Sequence, residues 1–423
     1  MTSTRPAPVP KLPFQTGQNW QNWGGNQSCT PAFTVQPRSE QEVVDAVRFA
    51  IAEDLPIRAV GAGHSFTPIV ATGGILVDTS RLVGITGTDT ARCRARMLGG
   101  TRLSDLGEPL WEAGLSLSNQ GDIDKQSISG VLATATHGSG ISLGSFSSRL
   151  RWARIVNGRG EVVEVGEDDL ATLRAAQVAL GTLGIMTEVE IEVSPRYHLR
   201  EEISYPAWDE IKAKWDRNVA DHRHYSFLWC QTDESAPLYE LPTPAGESMV
   251  NRAYTKKYFE VDVDEPDGIV TTEGARVDRA YRIYPGYMTI PFHEMEYYVP
   301  AEHGREAVEA MQNLLATKHT DQLYPIEVRW VKGDDAYLSP FYRRDTTVLS
   351  VSGAPGTDYW PYLRDLDAVL TDFDSRAHWG KIHFLTRSRL QQMYPEYEKF
   401  VAVRREFDPD GIFLNDNLRA LFG

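Results

Sequence analysis

The stretch Arg58-Ala59-Val60-Gly61-Ala62-Gly63-His64-Ser65-Phe66-Thr67 sets a histidine inside a glycine-rich turn, directly after the short apolar run Ile57 to Val60. Glycines tolerate positive φ and let backbone N–H groups approach a pyrophosphate, so Gly61, Ala62, Gly63, His64 and Ser65 read as an anion cradle carrying a nucleophilic imidazole. A nicotinamide-type dinucleotide fingerprint needs a third glycine at position 66 and a helix starting there. Phe66, followed by Thr67 and Pro68, argues against that fold.

Outward from this loop the pattern is one of short alternating helices and strands. Glu40 to Ala52 places Val43, Val44, Val47 and Ile51 at helical spacing, while Ile57–Val60 and Ile75–Val77 are β-branched runs bounded by turns. Thr101–Glu112 reads as a helix. Arg151–Asn157, Gly158-Arg159-Gly160 and Glu161–Val165 read as a hairpin, Leu170–Leu180 as a helix and Ile185–Val193 as a half-buried strand. Gly181 and Gly184 separate the last two and leave room for a flat ligand. Beyond Pro195 tryptophan, tyrosine and histidine become frequent, which marks a domain boundary. Strands are expected at Tyr225–Cys230, Glu294–Val299 and Ile326–Val331, with a helix over Gly304–Leu315 and polar connections at Pro237–Gly246 and Asp262–Gly268. Antiparallel strands covered by helices follow from such an order.

The chain of 423 residues is long enough for two domains. With 43 basic against 58 acidic residues the net charge is −15, and no basic run is interleaved with aromatics, which excludes nucleic acid as a partner. Met1 to Asn19 is Pro-rich and lacks a continuous apolar stretch, so no membrane span and a cytoplasmic location are expected. Cys29, Cys93 and Cys230 have neither metal-ligand spacing nor the even count of a disulfide framework.

Three further constellations carry chemistry. Ala133-Thr134-Ala135-Thr136-His137-Gly138-Ser139-Gly140, preceded by Gly130, gathers small residues and hydroxyls suited to phosphate and ribitol oxygens. Either glycine loop alone is as readily a tight turn; the two together point to a cofactor. Glu327-Val328-Arg329 puts a carboxylate and a guanidinium on one face of a strand, suited to orienting a substrate and stabilising developing negative charge, or to a surface ion pair. In His378-Trp379-Gly380-Lys381-Ile382-His383, a strand would put Trp379, Lys381 and His383 on one face. A zinc site there lacks a third ligand of defined spacing, so no metal is assigned. Lys381 beside an electron-accepting ring is the functional reading, and a lysine snorkelling on a packed edge the bland one.

Several separated strings in order, RAVGAGHSFT over 58–67, GDIDKQSISGVLATATHGSG over 121–140, LGTLGI over 180–185, HWGKIHF from His378 and FDPDGIFLNDNL over 407–418, carry a resemblance over nearly the whole chain. It resembles the FAD-linked oxidases of the vanillyl-alcohol oxidase superfamily, in the branch of sugar-lactone and alditol oxidases. The resemblance implies an α+β fold: a two-subdomain FAD-binding domain over 20–195, a substrate domain with an antiparallel sheet flanked by helices over 196–377, and a C-terminal segment, 378–423, that returns to the flavin. It implies cofactor contacts from Gly61, Ala62, Gly63, His64, Ser65, Gly121, Asp122, Ser127, Gly130, Ala133, Thr136, His137, Gly138, Gly184, Ile185 and Asn415. His64 matches the histidine bonded covalently to FAD. Glu327, Arg329 and Lys381 match catalytic positions, and Gly121 matches a position where side-chain bulk blocks oxygen, so O2 is the expected acceptor and hydrogen peroxide the by-product. Asp122, Ser350 and Ser352 are pocket candidates that depart from the alditol-oxidase pattern, and with the terminal run they favour a sugar lactone over a polyol. Alditol or oligosaccharide oxidation, and a lactone dehydrogenase using another acceptor, are the alternatives.

Overall fold

Three parallel strands, Phe33–Val35, Ile75–Asp78 and Ile57–Val60 in that spatial order, carry the glycine loop at their C-terminal edge in the computed structural model, which describes residues 12–262, 270–272, 274–286 and 290–423. Helix Glu40–Ala52 covers them. It is started by Ser39, whose hydroxyl accepts from the Glu42 N–H at 3.3 Å, and it buries Val43, Val44, Ala46, Val47, Phe49 and Ala50. Ile51, expected on the packed face, stays 41% exposed.

A second, antiparallel sheet of five strands runs in the order Val162–Gly166, Leu150–Val156, Ile185–Glu192, Arg94–Leu98, Ile85–Asp89. Its first pair is the expected hairpin, with Val162 opposite Val156 and Gly160 at φ +68 in the turn. The helix expected over Thr101–Glu112 is divided into a 3₁₀ turn at Leu103–Asp105 and a helix at Gly107–Glu112. The cause is a competing backbone partner: Leu103 donates to Gln126 O at 3.0 Å and Thr101 O accepts from Ile128 at 2.8 Å. The helix beginning at Leu170 ends at Gln177, short of Leu180, which takes a left-handed φ of +53.

After residue 196 a single nine-stranded sheet dominates, all of its pairings antiparallel. Its strands include His198–Ser204, Arg252–Val261, His224–Cys230, Ile326–Val331, Thr346–Gly353 and His293–Pro300. Alternate side chains point to opposite faces. Tyr297, Val299, Leu349, Val351, Val328 and Trp330 join Met311 and Leu315 of helix Gly304–Thr317 and Leu366 of helix Trp360–Thr371 in one apolar cluster. The register Glu327–Ser350, Ser350–Glu296 strings the other face into a polar row, which Leu228 opposite Glu327 ends.

The strand considered for His378–His383 does not form; the ladder stops at Arg376–Ala377 and the chain turns, with Lys381 donating to His378 O at 3.1 Å. The turn wins because its backbone is claimed elsewhere. Gly380 donates to His378 Nδ1 at 2.8 Å, and its carbonyl accepts from the Phe66 N–H at 2.7 Å. Most of the expected connection Asp262–Gly268, and the first eleven residues of the N-terminal stretch, lie outside the described residues. Among the described residues no helix is long and apolar enough to cross a membrane, and no cluster of three or more His, Cys, Asp or Glu could hold a metal ion.

Candidate active site

The polar row of the large sheet faces the glycine loops across a cavity of about 670 Å³. Arg58, 3% exposed, ties the cavity's floor together: its guanidinium donates to Ile69 O at 2.8 Å, Leu180 O at 2.6 Å, Gly181 O at 2.9 Å and Phe413 O at 2.6 Å. Three separate segments are thereby held beneath the 61–65 turn. Gly61 is required by close approach, since a Cβ there would lie 1.9 Å from Ser127 Oγ, and Gly63 by its φ of +68. The N–H groups of Gly61 to Ser65 donate to no acceptor among the described residues. Backbone donors seldom go unpaired, and a run of them against a cavity has the chemistry to receive an anion.

His64 is half-buried at the end of that turn, stacked on Trp23 with centroids 5.4 Å apart. Burial, then the charges of Lys381 and Arg102, push its pKa down to about 4, so the imidazole is neutral at pH 7. Among the described residues its buried Nδ1 has no hydrogen-bond partner, and neither has Ser127 Oγ.

Across the cavity Arg329 lies among three carboxylates. Nη2 reaches Glu296 and, at 3.4 Å, Glu327; Nη1 lies 3.6 Å from Asp122. Lys256 Nζ is 2.5 Å from Asp122, and Lys381 pairs with Glu294. Glu296, 1% exposed, also accepts from Tyr298 OH at 2.5 Å and meets His137 Nε2 at 3.0 Å. The Ser350 hydroxyl is 2.8 Å from both Glu294 and Glu296. Burial raises Glu327, the approach of Arg329 only partly offsets it, and the carboxyl is pushed up to about 7. Glu296 goes the other way: burial would raise it, but Arg329 and His137 outweigh burial and hold it well below the ordinary range. The Glu327–Arg329 pair is therefore no surface ion pair, and Lys381 is held by a buried carboxylate rather than lying along an edge.

Gly61, Ala62, Gly63, His64, Ser65, Gly121, Asp122, Ser127, Gly130, Ala133, Thr136, His137, Gly184, Ile185, Glu327, Arg329 and Lys381 all line this cavity. Gly138, Asn415, Ser350 and Ser352 do not line it. Gly138 is packed behind the wall, where a Cβ would meet Gln120 O at 1.9 Å. Asn415 is occupied by the chain itself: Nδ2 donates to Pro68 O at 2.7 Å and Ala71 O at 2.9 Å, and Oδ1 accepts from Leu418 at 3.0 Å as a helix cap. Ser350 is wholly buried under the two glutamates, and Ser352 accepts from the Tyr239 hydroxyl.

Glu294, Glu296 and Lys256 are cavity residues that the sequence reading did not single out. A signal existed for the glutamates. In His293–Pro300 every residue is buried, yet Glu294, Glu296 and Tyr298 alternate with Met295, Tyr297 and Val299. Alternation of this kind ordinarily marks a solvent face, and only the tertiary fold turns it into a site wall. Lys256, beside Lys257, gave no signal.

The family described as D-arabinono-1,4-lactone oxidase matches residues 243–421, and the FAD binding domain family matches residues 31–166. L-gulono-1,4-lactone dehydrogenase of Mycobacterium tuberculosis is 33% identical over 425 residues, covering 96% of this chain and 99% of that protein. The chain belongs to the sugar-lactone oxidase branch of the FAD-linked, vanillyl-alcohol-oxidase-type enzymes. L-gulonolactone oxidase of Bos taurus, another member of the branch, is 26% identical over 436 residues, covering 96% of this chain and 98% of that protein. A solvent-stable cholesterol oxidase structure superimposes with a TM-score of 0.83 at 17% identity, over 99% of this chain and 100% of the other, and shows the shared fold. FAD is the cofactor this family brings. The residues present fit it, with unpaired loop N–H groups for a diphosphate and orphan His64 and Ser127 atoms along the same wall.

Proposed function

We propose that the chain oxidises a sugar 1,4-lactone, of the L-gulono, L-galactono or D-arabinono type, at the secondary alcohol carbon next to the lactone carbonyl. The observation that carries this reading is the shared cavity: Glu327 and Arg329 face it from the sheet, and the glycine loops with His64 face it from the opposite wall. Relatives over nearly the full chain are named for L-gulono-lactone chemistry, as dehydrogenase and as oxidase. When bound, FAD supplies the two-electron acceptor for the hydride leaving that carbon.

The chain's own residues do the rest. Glu327, with a pKa about 7, is the carboxylate that takes the hydroxyl proton. Arg329, always charged, holds the substrate oxygens and stabilises negative charge developing on them. Lys381 sets a positive charge near the turn that carries His64. His64 is neutral and its Nδ1 has no partner among the described residues, which suits a covalent bond to the cofactor. With FAD bound, O2 would be the acceptor that takes the two electrons back from it, with two protons, as hydrogen peroxide. Gly121 lines the cavity and places no side chain there.

Two measurements test this. A lactone panel assayed for peroxide and for dye reduction should show lactone-dependent peroxide; turnover confined to polyols would defeat the substrate class, and dye reduction without oxygen consumption would favour the dehydrogenase alternative. Acid precipitation should leave the yellow chromophore on the wild-type protein and release it all from H64A; complete release from the wild type would reject the tether.

A further inference from the structure

The buried charges are shared unevenly. Lys256 is given to Asp122, Lys381 to Glu294 and Arg329 Nη2 to Glu296, while Glu327 meets its nearest cation only at 3.4 Å and accepts no side-chain hydrogen bond from the described residues. Glu296 is surrounded by polar partners: Tyr298 OH donates to it at 2.5 Å and Ser350 Oγ at 2.8 Å, His137 Nε2 lies 3.0 Å away, and the guanidinium completes the set. The two carboxylates project from the two strands that flank Thr346–Gly353, on one register row with Ser350 between them. One guanidinium therefore serves two glutamates, and the geometry decides which.

We propose that Glu296 is a positioning residue: it draws the Arg329 guanidinium toward the sheet, withholds that cation from Glu327, and so leaves Glu327 as the proton-accepting carboxylate of the cavity at neutral pH. The inference rests on the assignment of Glu327 and Arg329 to the lactone reaction. The charged groups facing Glu327 are Arg329 on its own strand, Asp122 from the loop after Gly121, Glu294 from His293–Pro300 and Lys256 from Arg252–Val261; the buried hydroxyls of Tyr239 and Tyr284 lie within their field. An opposite charge moved fully onto a carboxylate lowers its pKa by about 1–3 units.

E296Q keeps the shape and removes the charge. Arg329 is then left to Glu327, and the acid limb of kcat/KM, expected near pH 7 in the wild type, moves down by about one unit or more. A merely structural lesion lowers activity without moving the limb. S350A, which keeps every charge, leaves the limb in place. If E296Q does not accumulate folded, E296D carries the same test, its shorter reach giving a smaller displacement in the same direction.

A readout without turnover comes from melting the FAD-loaded protein at pH 5 and pH 8. The raised pKa means folded Glu327 binds more protons than the unfolded chain, so its contribution to stability is lost as pH rises from the ordinary carboxylate range, about 4.3, through about 7. E327Q should therefore gain melting temperature over its parent from pH 5 to pH 8, and that gain should shrink when position 296 is glutamine. A limb that stays near 7 in E296Q, or an E327Q gain equal in both backgrounds, overturns the proposal. No lactone turnover by the wild type would reject the substrate reading, and the melting comparison alone would then decide the role of Glu296.

Discussion

At the scale of single residues, the cavity is governed by where charge is left uncompensated. Asp122 is half-buried, yet Lys256 and Arg329 overcome the desolvation and keep its pKa below the ordinary range. Removing the ammonium by K256M leaves a half-buried carboxylate with Arg329 at 3.6 Å, and losing such a charged hydrogen bond should cost about 1.5–3 kcal/mol, read as a lower urea midpoint. The residues that were legible here are those with a spacing rule. Glu327 and Arg329, two apart, declare a common face, whereas Lys256 and Glu296 meet their partners across sequence separations that no local pattern encodes.

At the scale of elements, the terminal helix and the cofactor loop are joined through one amide. Asn415 caps helix Asp416–Phe422 and also donates to two carbonyls of the segment following the glycine loop. N415A should lose about 2–3 kcal/mol, about one for the cap and the rest for the two donated bonds, and thermal melts of wild type and variant would measure it. The helix at Glu40–Ala52, the hairpin around Gly158–Gly160 and the strand Ile326–Val331 could be read from sequence because propensity, period and boundary signals agree there. The unbroken helix expected over Thr101–Glu112 and the conditional strand at His378–His383 fail to form for one common reason. Their backbone groups bond to distant segments, 126–128 and 66, and a long-range partner outweighs local periodicity.

Over the whole molecule, Arg58 is the point where the glycine loop, the Leu180–Gly181 turn and the C-terminal Phe413 converge. Burial lowers its pKa only to about 10, so it stays charged at pH 7. A lysine carries the charge without the planar fork and cannot serve four carbonyls, so R58K should lose at least ~3 kcal/mol and purify with less bound flavin, which the ratio of visible to ultraviolet absorbance would report. An unchanged ratio and melting temperature would show that the convergence matters less than its geometry suggests.

The amino-acid order by itself determined the two glycine-rich loops, the position of His64 in one of them, the strand pair Glu327 and Arg329, and the membership of an FAD-linked family, because each is written in contiguous residues whose local conformation or motif is nearly independent of context. The tertiary structure alone decided that an alternating strand of glutamates turns inward, that Lys256 answers Asp122, and that Asn415 and Ser350 support the wall rather than line it. The physical reason is that burial and pairing of charge depend on which strands become neighbours. Such free energies arise only once segments hundreds of residues apart share one dry interior.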